Sequence, residues 1–336
     1  MFILGFESSC DETSAAVVEI DEKNGLRHIR SNIVASQIDI HRLYGGVVPE
    51  IASRAHTEVI SKITYEALAE AGIRLSDVGV IAVTAFPGLI GALLVGVNFA
   101  KSLAFANNIP LVAVNHVHGH VSAALADNPE LKPPFLALVV SGGHTSFYNV
   151  KSYTDFEEIG ATCDDAAGEA FDKIGRVIGM PYPGGAAMDK LAYEGNPKAL
   201  HLPSPALLGE NLNFSFSGIK TAALNYINSA AQKGEEINRA DVAASYTDTI
   251  VKAIVKKTAA ALKQTGAATF VMAGGVAANS HLRRGISELC KNEKVEFHVP
   301  PIKLCGDNAA MVAIAGYYEY LAGRRDKTDL NASACE

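Results

Sequence analysis

Short runs of apolar residues alternate with longer amphipathic stretches along the chain. The first three runs are separated by short polar turns and predict a meander of three strands. An apolar residue at every fourth position then predicts a long helix that Gly72 closes. In this first part we predict strands over 2–6, 15–20, 26–35, 80–85 and 111–114, and helices over 47–71 and 91–106.

The same alternation starts again after a Pro-containing break at 127–134. We predict an amino-terminal domain over 1–130 and a carboxyl-terminal domain with a helical insertion over 131–306. The closing helix, within 307–325, is expected to pack back on the first domain, and the tail beyond it is expected to fray. In this second part we predict strands over 135–140, 145–151, 269–273 and 296–299, and helices over 165–178, 186–192, 217–231, 240–264 and 307–321.

A weak internal repeat relates the two predicted domains. Residues 4–14 align with 136–146, and each segment consists of an apolar strand, a small polar turn and a returning strand. Two α/β domains with mixed sheets that each open in this way predict an actin-like, or sugar-kinase-like, fold. In that fold, the two turns face each other across a cleft and hold phosphates.

Composition excludes several classes of protein. Hydrophobic residues make up 49% of the 336 positions and charged residues 19%, which excludes a disordered chain. No apolar run approaches the ~20 residues of a membrane helix, and no basic leader precedes the first strand. Five cysteines without a C-x-x-C pair predict reduced thiols in a cytoplasmic protein. The net charge is -7, and the sequence shows no basic stripe. A nucleic-acid substrate would therefore need a phosphate-binding surface that a partner supplies.

The sharpest local motif is HVHGH, residues 116–120. On a helix, His116 and His120 point the same way and can bind one metal ion, whereas His118 points elsewhere. A helix-start pair on a surface is the alternative. Val117 stands where the metalloprotease motif H-E-x-x-H has its glutamate. Asp307, at the start of a predicted helix, is a candidate third ligand, and such a set suits Fe(II) or Zn(II).

Two glycine-containing turns could hold a nucleotide. Backbone N–H groups of the turn Ser141–Gly142–Gly143–His144 can approach an anion, although Gly-Gly is also common in ordinary hairpins. The segment 274–279 follows a predicted strand and opens a helix, where glycines permit close approach of a phosphate. Asn279 could contact a base or ribose, or could cap the helix.

Acidic residues form two groups whose role the pattern leaves open. Asp165, Glu169 and Asp172 share one face of a predicted helix, either exposed to solvent or lining a ligand cleft. Asp11 and Glu12 lie in the first turn, where they could accept a proton from an attacking amine or cap the backbone. Cys10 has no histidine near it in sequence to activate it as a nucleophile.

Taken together, eight motifs in series resemble the TsaD family, the bacterial tRNA N6-adenosine threonylcarbamoyltransferases formerly called O-sialoglycoprotein endopeptidases. The resemblance spans the whole chain and rests on ESSCDET (7–13), HVHGH (116–120), VSGGHT (140–145), DDAAGEAFDK (164–173), YPGG (182–185), FSFSGIKT (214–221), GGVAAN (274–279) and DNAAM (307–311). It implies an actin-like fold of two RNase-H-like halves. It also implies transfer of threonylcarbamoyl from threonylcarbamoyl-adenylate to N6 of the adenosine 3′ to the anticodon, in tRNAs that read codons beginning with A.

The resemblance also implies the site. His116, His120 and Asp307 would bind one divalent ion per subunit, Fe(2+) or alternatively Zn(2+), and the cleft would hold the adenylate donor or ATP, with or without Mg(2+). Asp11 and Glu12 are the candidate catalytic residues, as acceptors of the amine proton. The residues expected to contact the adenylate are Val139, Val140, Ser141, Gly142, Gly143, His144, Asp172, Gly185, Asp189, Gly275 and Asn279.

The partners that the resemblance implies are the smaller paralogue TsaB in a heterodimer, the ATPase TsaE and tRNA, with no membrane. Two other classes of function stay open from the sequence. One is a metal-dependent glycoprotein endopeptidase, which the missing glutamate beside His116 disfavours. The other is a non-catalytic actin-like scaffold, which the three candidate metal ligands disfavour.

Overall fold

The computed structural model describes residues 1–203 and 211–335. The strands are β1 Phe2–Glu7, β2 Glu12–Asp21, β3 Leu26–Ser36, β4 Val78–Phe86, β5 Leu111–Asn115, β6 Phe135–Val140, β7 Thr145–Ser152, β8 Asp155–Ala161, β9 Thr269–Ala273 and β10 Glu296–His298. The helices are α1 Ile38–Arg42, α2 Pro49–Ala71, α3 Ile90–Asn107, α4 His116–Ser122, α5 Ala167–Val177, α6 Gly184–Leu191, α7 Ser217–Lys233, α8 Arg239–Thr265, α9 Ser280–Glu293 and α10 Ala309–Leu321.

The described chain forms two compact units. Unit 1 contains residues 1–133, 151–156 and the chain from Pro300 onward, and unit 2 contains 134–150 and 157–299. Residues 131–133, 151–156 and 300–306, which the sequence places in the second domain, therefore group with unit 1. Residues 151–156 include the adjoining ends of β7 and β8. Two aromatic side chains of the 151–156 segment stack on unit 1 rings, which accounts for part of this difference.

Unit 1 is built on a five-stranded sheet of order β3-β2-β1-β4-β5. β1 pairs antiparallel with β2 and parallel with β4, so the sheet is mixed as predicted. The sheet is the core of the unit because nearly every residue of β1, β2 and β4 is buried. α2 and α3 pack against it, and α10 contacts β1, β2 and β4.

Unit 2 repeats this plan with the order β8-β7-β6-β9-β10. β6 pairs antiparallel with β7 and parallel with β9, as β1 does with β2 and β4. The two sheets confirm the α/β class and the repeat that the segments 4–14 and 136–146 suggested. β8 was not predicted, because its sequence DFEEIGA lacks an apolar face, and only one of its seven residues is buried.

The long helix α2 was predicted correctly in extent, and the spacing of four identified the buried side of its second half. Of the predicted apolar stripe, Ile63, Ala67 and Ala71 are buried, whereas Ile51, Ala55 and Val59 are only partly buried. A strict spacing of four drifts around a helix of 3.6 residues per turn, so in the first half the buried positions are the neighbouring ones, His56 and Ile60 among them. The polar side chain of His56 hid this part of the stripe from a hydrophobicity pattern.

The carboxyl-terminal tail is held along unit 1, and the expectation that it frays is wrong. The backbone N–H of Asp326 donates to Leu111 O at 2.9 Å, and the Asp326 carboxylate accepts from the Ala113 N–H at 2.7 Å. Further along, the N–H of Ser333 donates to Ala85 O at 2.9 Å. The tail thus covers backbone groups at the edge strand β5, which would otherwise be open to pairing.

Among the helices of residues 1–203 and 211–335, α3 alone has the length and apolar composition to cross a membrane. It packs against α2 and β4 and buries Leu93, Val97 and Ala100 there. A core helix of a globular unit has this same composition, and its contacts place α3 in that role.

Candidate metal centre and glycine turns

The two candidate ligand histidines lie on one face of the short helix α4, directly after the buried strand β5. Asn115 caps this helix, because its Oδ1 accepts from the N–H groups of Val117 at 2.7 Å and His118 at 3.2 Å. His116 and His120 are one turn apart, with exposed fractions of 5% and 0%. The histidines are therefore buried, which excludes the alternative of a pair on the surface.

Asp307 meets both histidines in unit 1. Its Oδ1 lies 3.2 Å from His120 Nε2 and 3.6 Å from His116 Nε2. One ligand atom from each of the three residues lies within 4.8 Å of the others. Asn308, and not Asp307, caps α10, since its Oδ1 accepts from Met311 N–H at 3.1 Å. The Asp307 carboxylate is thus directed to the histidines and has no capping role.

Glu7 fixes the orientation of the His116 ring, a role that the sequence did not reveal. Its buried Oε2 lies 3.0 Å from His116 Nδ1 and accepts from Thr84 Oγ1 at 2.7 Å. Because an ionised carboxylate only accepts, Nδ1 carries the proton and Nε2 is directed to Asp307. Burial lowers the pKa of His116, but the Glu7 and Asp307 carboxylates outweigh it and raise that pKa to about 9. Glu7 is the carboxylate partner that metal-ligating histidines usually have.

His120 supplies the clearest indication that the centre is built for a cation. Its side chain is fully buried, and neither ring nitrogen makes a hydrogen bond of good geometry to any residue that the structure describes, although Nε2 lies 3.2 Å from Asp307 Oδ1. A buried imidazole left unsatisfied costs about 1–3 kcal/mol, which a bound ion at Nε2 would remove. Two imidazoles and one carboxylate fit Fe(II) or Zn(II), so the residues present match the group that the sequence implied.

Two glycines allow the backbone around this centre to pack closely. A Cβ at Gly5 of β1 would lie 2.3 Å from Ala309 O, at the start of α10 and two residues after Asp307. A Cβ at Gly88 would lie 2.7 Å from Ser9 O, and the Ser9 hydroxyl lies 3.1 Å from His116 Nδ1. Any side chain at either position would displace backbone that carries the centre.

The first turn of unit 1 brings Asp11 and Glu12 near Asp307. Burial, then the charges of Asp307 and Asp11, raise the pKa of Glu12 to about 9, so Glu12 is protonated at neutral pH. Burial and the same acids raise the pKa of Cys10 far above its usual range, which leaves no thiolate to act as a nucleophile. Asp11, itself buried, remains the candidate base.

His56 on α2 stabilises this first turn through two hydrogen bonds. Its Nε2 donates to Cys10 O at 3.0 Å, and its Nδ1 pairs with Thr13 Oγ1 at 2.7 Å. The side chain is fully buried. Its role was missed because a single histidine within an amphipathic helix gives no indication of which backbone group it will contact.

In unit 2, the predicted turn 141–144 is a hairpin turn whose two glycines are open to solvent. Ser141 N–H donates to His144 O at 2.8 Å, and His144 N–H donates to Ser141 Oγ at 3.1 Å. Val139 and Val140 anchor it as fully buried residues of β6. Gly142 and Gly143 are exposed, and nothing lies within 4 Å of a Cβ placed on either. The backbone N–H groups can therefore be approached closely.

Two further glycines bring backbone segments against this turn. A Cβ at Gly274, where φ is +94°, would lie 2.4 Å from Val140 O. A Cβ at Gly168 in α5 would lie 2.6 Å from Ser141 O. The end of β9, the start of α5 and the turn 141–144 therefore converge in unit 2, with Gly275 open beside them.

The remaining residues expected to contact the adenylate connect the helices around these loops. Asp172 Oδ1 accepts from Gly185 N–H at 3.0 Å, and Asp189 Oδ1 accepts from Ser280 N–H at 3.0 Å. Asn279 Oδ1 caps α9 by accepting from Leu282 N–H at 2.9 Å, the capping role considered as its alternative.

The predicted acidic face of α5 forms in part. The helix starts at Ala167, so Asp165 precedes it, but the Asp165 and Glu169 carboxylates both lie 2.8 Å from Lys173 Nζ. Asp165 also pairs with Lys220. Partial burial raises the pKa of Asp165, but the hydrogen bonds from the two lysines outweigh it and lower that pKa. This carboxylate therefore anchors α5 to α7.

Comparisons with known proteins identify relatives of this chain. A family model described as TsaD, tRNA N6-adenosine threonylcarbamoyltransferase, matches residues 28–314. A protein of that name from Clostridium botulinum (strain 657 / Type Ba4) is 54% identical over 330 residues, covering 98% of this chain and 96% of the relative. A protein of the same name from Moorella thermoacetica is 51% identical over 332 residues, covering 99% of this chain and 95% of the relative.

Solved structures with low sequence identity share the fold. Full-length HypF in a phosphate- and nucleotide-bound form gives a TM-score of 0.61 at 15% identity, covering 100% of this chain and 47% of HypF. Component A of the (R)-2-hydroxyglutaryl-CoA dehydratase of Acidaminococcus fermentans gives 0.56 at 15% identity, covering 96% and 99%. With the two mixed sheets, these similarities confirm the actin-like fold class.

Proposed function

The chain belongs to the TsaD family of tRNA N6-adenosine threonylcarbamoyltransferases, and on that premise we propose its donor, its acceptor and the roles of its residues. The donor is threonylcarbamoyl-adenylate, and the acceptor is N6 of the adenosine 3′ to the anticodon in tRNAs that read codons beginning with A. The N6–carbon bond forms as the bond from the carbamoyl carbon to phosphate oxygen breaks. AMP leaves with the electron pair of that bond, and the amine proton passes to a base.

The observation that carries this proposal is that His116, His120 and Asp307 each bring one ligand atom to within 4.8 Å of the others. The buried imidazole of His120 makes no hydrogen bond of good geometry to any described residue. These three residues would hold a divalent ion, Fe(2+) or alternatively Zn(2+). When bound, such an ion supplies Lewis-acid polarisation of a donor oxygen and a fixed charge that orients the donor. Glu7 holds the proton on His116 Nδ1, so Nε2 is the nitrogen that would give up its proton and offer a lone pair to the ion.

The nucleotide end of the donor is assigned to the glycine turns of unit 2. Exposed Gly142 and Gly143 offer N–H groups to a phosphate, and Gly274 permits the close approach of β9 to that turn. Val139, Val140, Ser141, His144, Asp172, Gly185, Asp189, Gly275 and Asn279 complete the proposed adenylate site. Positioning of the donor by these groups would supply much of the rate, because adenine N6 is a weak nucleophile. ATP, with or without Mg(2+), would fit the same residues.

Replacing Asp11 by Ala is expected to lower the rate of transfer about 100-fold, because Asp11 is assigned to orient the amine or accept its proton. Transfer is measured with preformed threonylcarbamoyl-adenylate and tRNA, and metal content is measured on the same samples and should not change. Glu12→Gln is the matched variant. It reproduces the neutral side chain of Glu12 and should keep most of the rate. A near-normal rate for Asp11→Ala would remove Asp11 from the mechanism.

Replacing Glu7 by Gln is expected to weaken metal binding about 10- to 100-fold, the usual effect of losing a carboxylate behind a ligating histidine. The shape of the side chain is kept, but the amide no longer fixes the proton on His116 Nδ1. Affinity is measured by competition with a chelator. Glu19→Gln, at an exposed ion pair with Arg30, is the control and should bind as the wild type does. Unchanged affinity in Glu7→Gln would mean that Glu7 does not tune the centre.

We place this chain in the cytoplasm with two protein partners, the paralogue TsaB and the ATPase TsaE. The net charge of -7 supports a partner, because a polyanionic tRNA needs cations that this chain does not concentrate. Exposed Leu43 and Tyr44 next to α1 offer apolar surface for a protein contact. Strong tRNA binding by the isolated chain at physiological salt would contradict the need for a partner.

Nucleoside mass analysis of tRNA tests the proposal as a whole. The chain is incubated with tRNA, its partners, ATP, bicarbonate, threonine and the adenylate-forming enzyme, and we expect threonylcarbamoyladenosine next to the anticodon. Leaving out this chain should abolish the product. Cleavage of a glycoprotein without tRNA modification would support the peptidase alternative, which Val117 beside His116 disfavours. If the chain neither modifies tRNA nor cleaves a glycoprotein, the result would support the scaffold alternative.

A further inference from the structure

The middle histidine of HVHGH has a contact of its own that the metal site does not explain. His118 lies on a different face of α4 from His116 and His120. Its ring lies flat on the ring of Phe156, with centroids 3.9 Å apart and an angle of 8° between the planes. Phe156 belongs to residues 151–156 of unit 1, which we call the aromatic segment.

The other end of the aromatic segment is held on α10. Tyr153 stacks on Tyr318 with centroids 3.9 Å apart and an angle of 10° between the planes. The Arg27 guanidinium, whose residue is only 4% exposed, donates to the Tyr318 hydroxyl at 2.5 Å, to the Tyr153 hydroxyl at 3.4 Å and to Asn128 O at 3.1 Å. The segment is thus attached both to α4 and to α10.

These two helices carry the three candidate ligands. α4 provides His116 and His120, and Asp307 lies two residues before α10. α4 has only seven residues, and a helix of that length is not stable without packing against the rest of the protein. Metal–ligand distances tolerate only about 0.2 Å of variation, so a small shift of α4 would remove a histidine nitrogen from the coordination sphere.

We infer that the aromatic segment positions the metal-ligating helix α4 relative to α10, through the stacking of Phe156 on His118 and of Tyr153 on Tyr318. Phe156 is a positioning residue in this account, since it acts on the ligands through His118 and α4. His118 contributes a flat ring surface to this stack. The inference rests on the proposed metal site but assigns residues outside the ligand set.

The test is equilibrium binding of Co(2+) or Zn(2+) by the full chain, in competition with a chelator, together with the Co(2+) absorption spectrum. Phe156→Ala is expected to bind about tenfold more weakly, the lower end of the effect of losing a group that orients a ligand. Phe156→Tyr keeps a flat ring and should bind within about twofold of the wild type. Phe105→Ala, on an α3 side chain that is 76% exposed, is the matched aromatic control and should not change affinity.

Two His118 variants separate stacking from ligation. His118→Phe keeps the stack without imidazole nitrogens and should retain both affinity and spectrum, whereas His118→Ala should lose about as much affinity as Phe156→Ala. Loss of affinity in His118→Phe would mean that His118 binds the ion itself, and would overturn the inference. If Phe156→Ala does not fold, Phe156→Leu and His118→Ala carry the same comparison.

A purely structural role predicts a different outcome. Phe156→Ala would then lower the Tm while binding metal with unchanged affinity and spectrum, and the inference would be wrong. Failure of the wild-type chain to bind any divalent ion would instead reject the proposed metal site. The two failures are therefore distinguished by the wild-type measurement.

Discussion

Replacing Asp307 by Ala is expected to abolish stoichiometric metal binding and to slow transfer to tRNA about 1,000-fold. The variant removes the only carboxylate among the three converging ligands and leaves two imidazoles, which bind divalent ions much more weakly. A metal ion acting as a Lewis acid contributes several kcal/mol to the transition state, and about 4 kcal/mol corresponds to the expected loss of rate. Metal content by elemental analysis and transfer from preformed adenylate are the two measurements.

The fold should survive this substitution. Asn308, and not Asp307, caps α10, and the Asp307 side chain is 18% exposed. Removing the carboxylate also removes one of the negative charges that raise the pKa of Glu12. Asp39→Ala, at a 92%-exposed carboxylate on α1, is the control and should keep both metal and rate. A variant at position 307 that folds normally and transfers at the wild-type rate would exclude Asp307 from the centre.

Replacing Gly274 by Ala is expected to lower the Tm by about 5 °C or more and to remove nucleotide binding. The φ angle of +94° strains any residue with a side chain, at about 1–3 kcal/mol. In addition, the new Cβ would lie 2.4 Å from Val140 O, so the end of β9 or of β6 must move. Val140 immediately precedes the turn 141–144, and that movement would distort the proposed phosphate site.

The neighbouring glycine provides the matched control. A Cβ at Gly275 meets nothing within 4 Å, so Gly275→Ala should keep the wild-type Tm within about 1 °C. Nucleotide affinity is measured for both variants with a non-hydrolysable ATP analogue, since Gly275 belongs to the proposed adenylate site. Equal Tm values for the two variants would show that the close approach of Gly274 to Val140 does not determine the stability of the fold, and would contradict this prediction.

The sequence predicted most of the element order because the two sheets have buried central strands. β6 and β9 were predicted with their observed ends, Phe135–Val140 and Thr269–Ala273. Segments without a clear apolar face were predicted less well, as the partly exposed strand β8 and the buried positions in the first half of α2 show. Their positions depend on partners that lie far away along the chain.

The candidate ligands differ in the same way from the residues that support them: local spacing indicates the two histidines, whereas the supporting contacts join distant parts of the chain. His116 and His120 could be paired from their spacing, because a helix turn brings residues four apart together. The link from Glu7 to His116 spans 109 positions, and that from Arg27 to Tyr318 spans 291. No local pattern indicates such contacts, so the residues that orient and position the centre became apparent only in the folded chain.

The most direct measurement is a metal titration of transfer activity. The chain is stripped with a chelator, Fe(2+) or Zn(2+) is added back in known ratios, and transfer from preformed threonylcarbamoyl-adenylate to tRNA is followed by nucleoside mass analysis. We predict a rate that rises with added ion and reaches its plateau at one ion per chain, and no such rise for Asp307→Ala. Full transfer by the stripped wild-type chain would contradict the account.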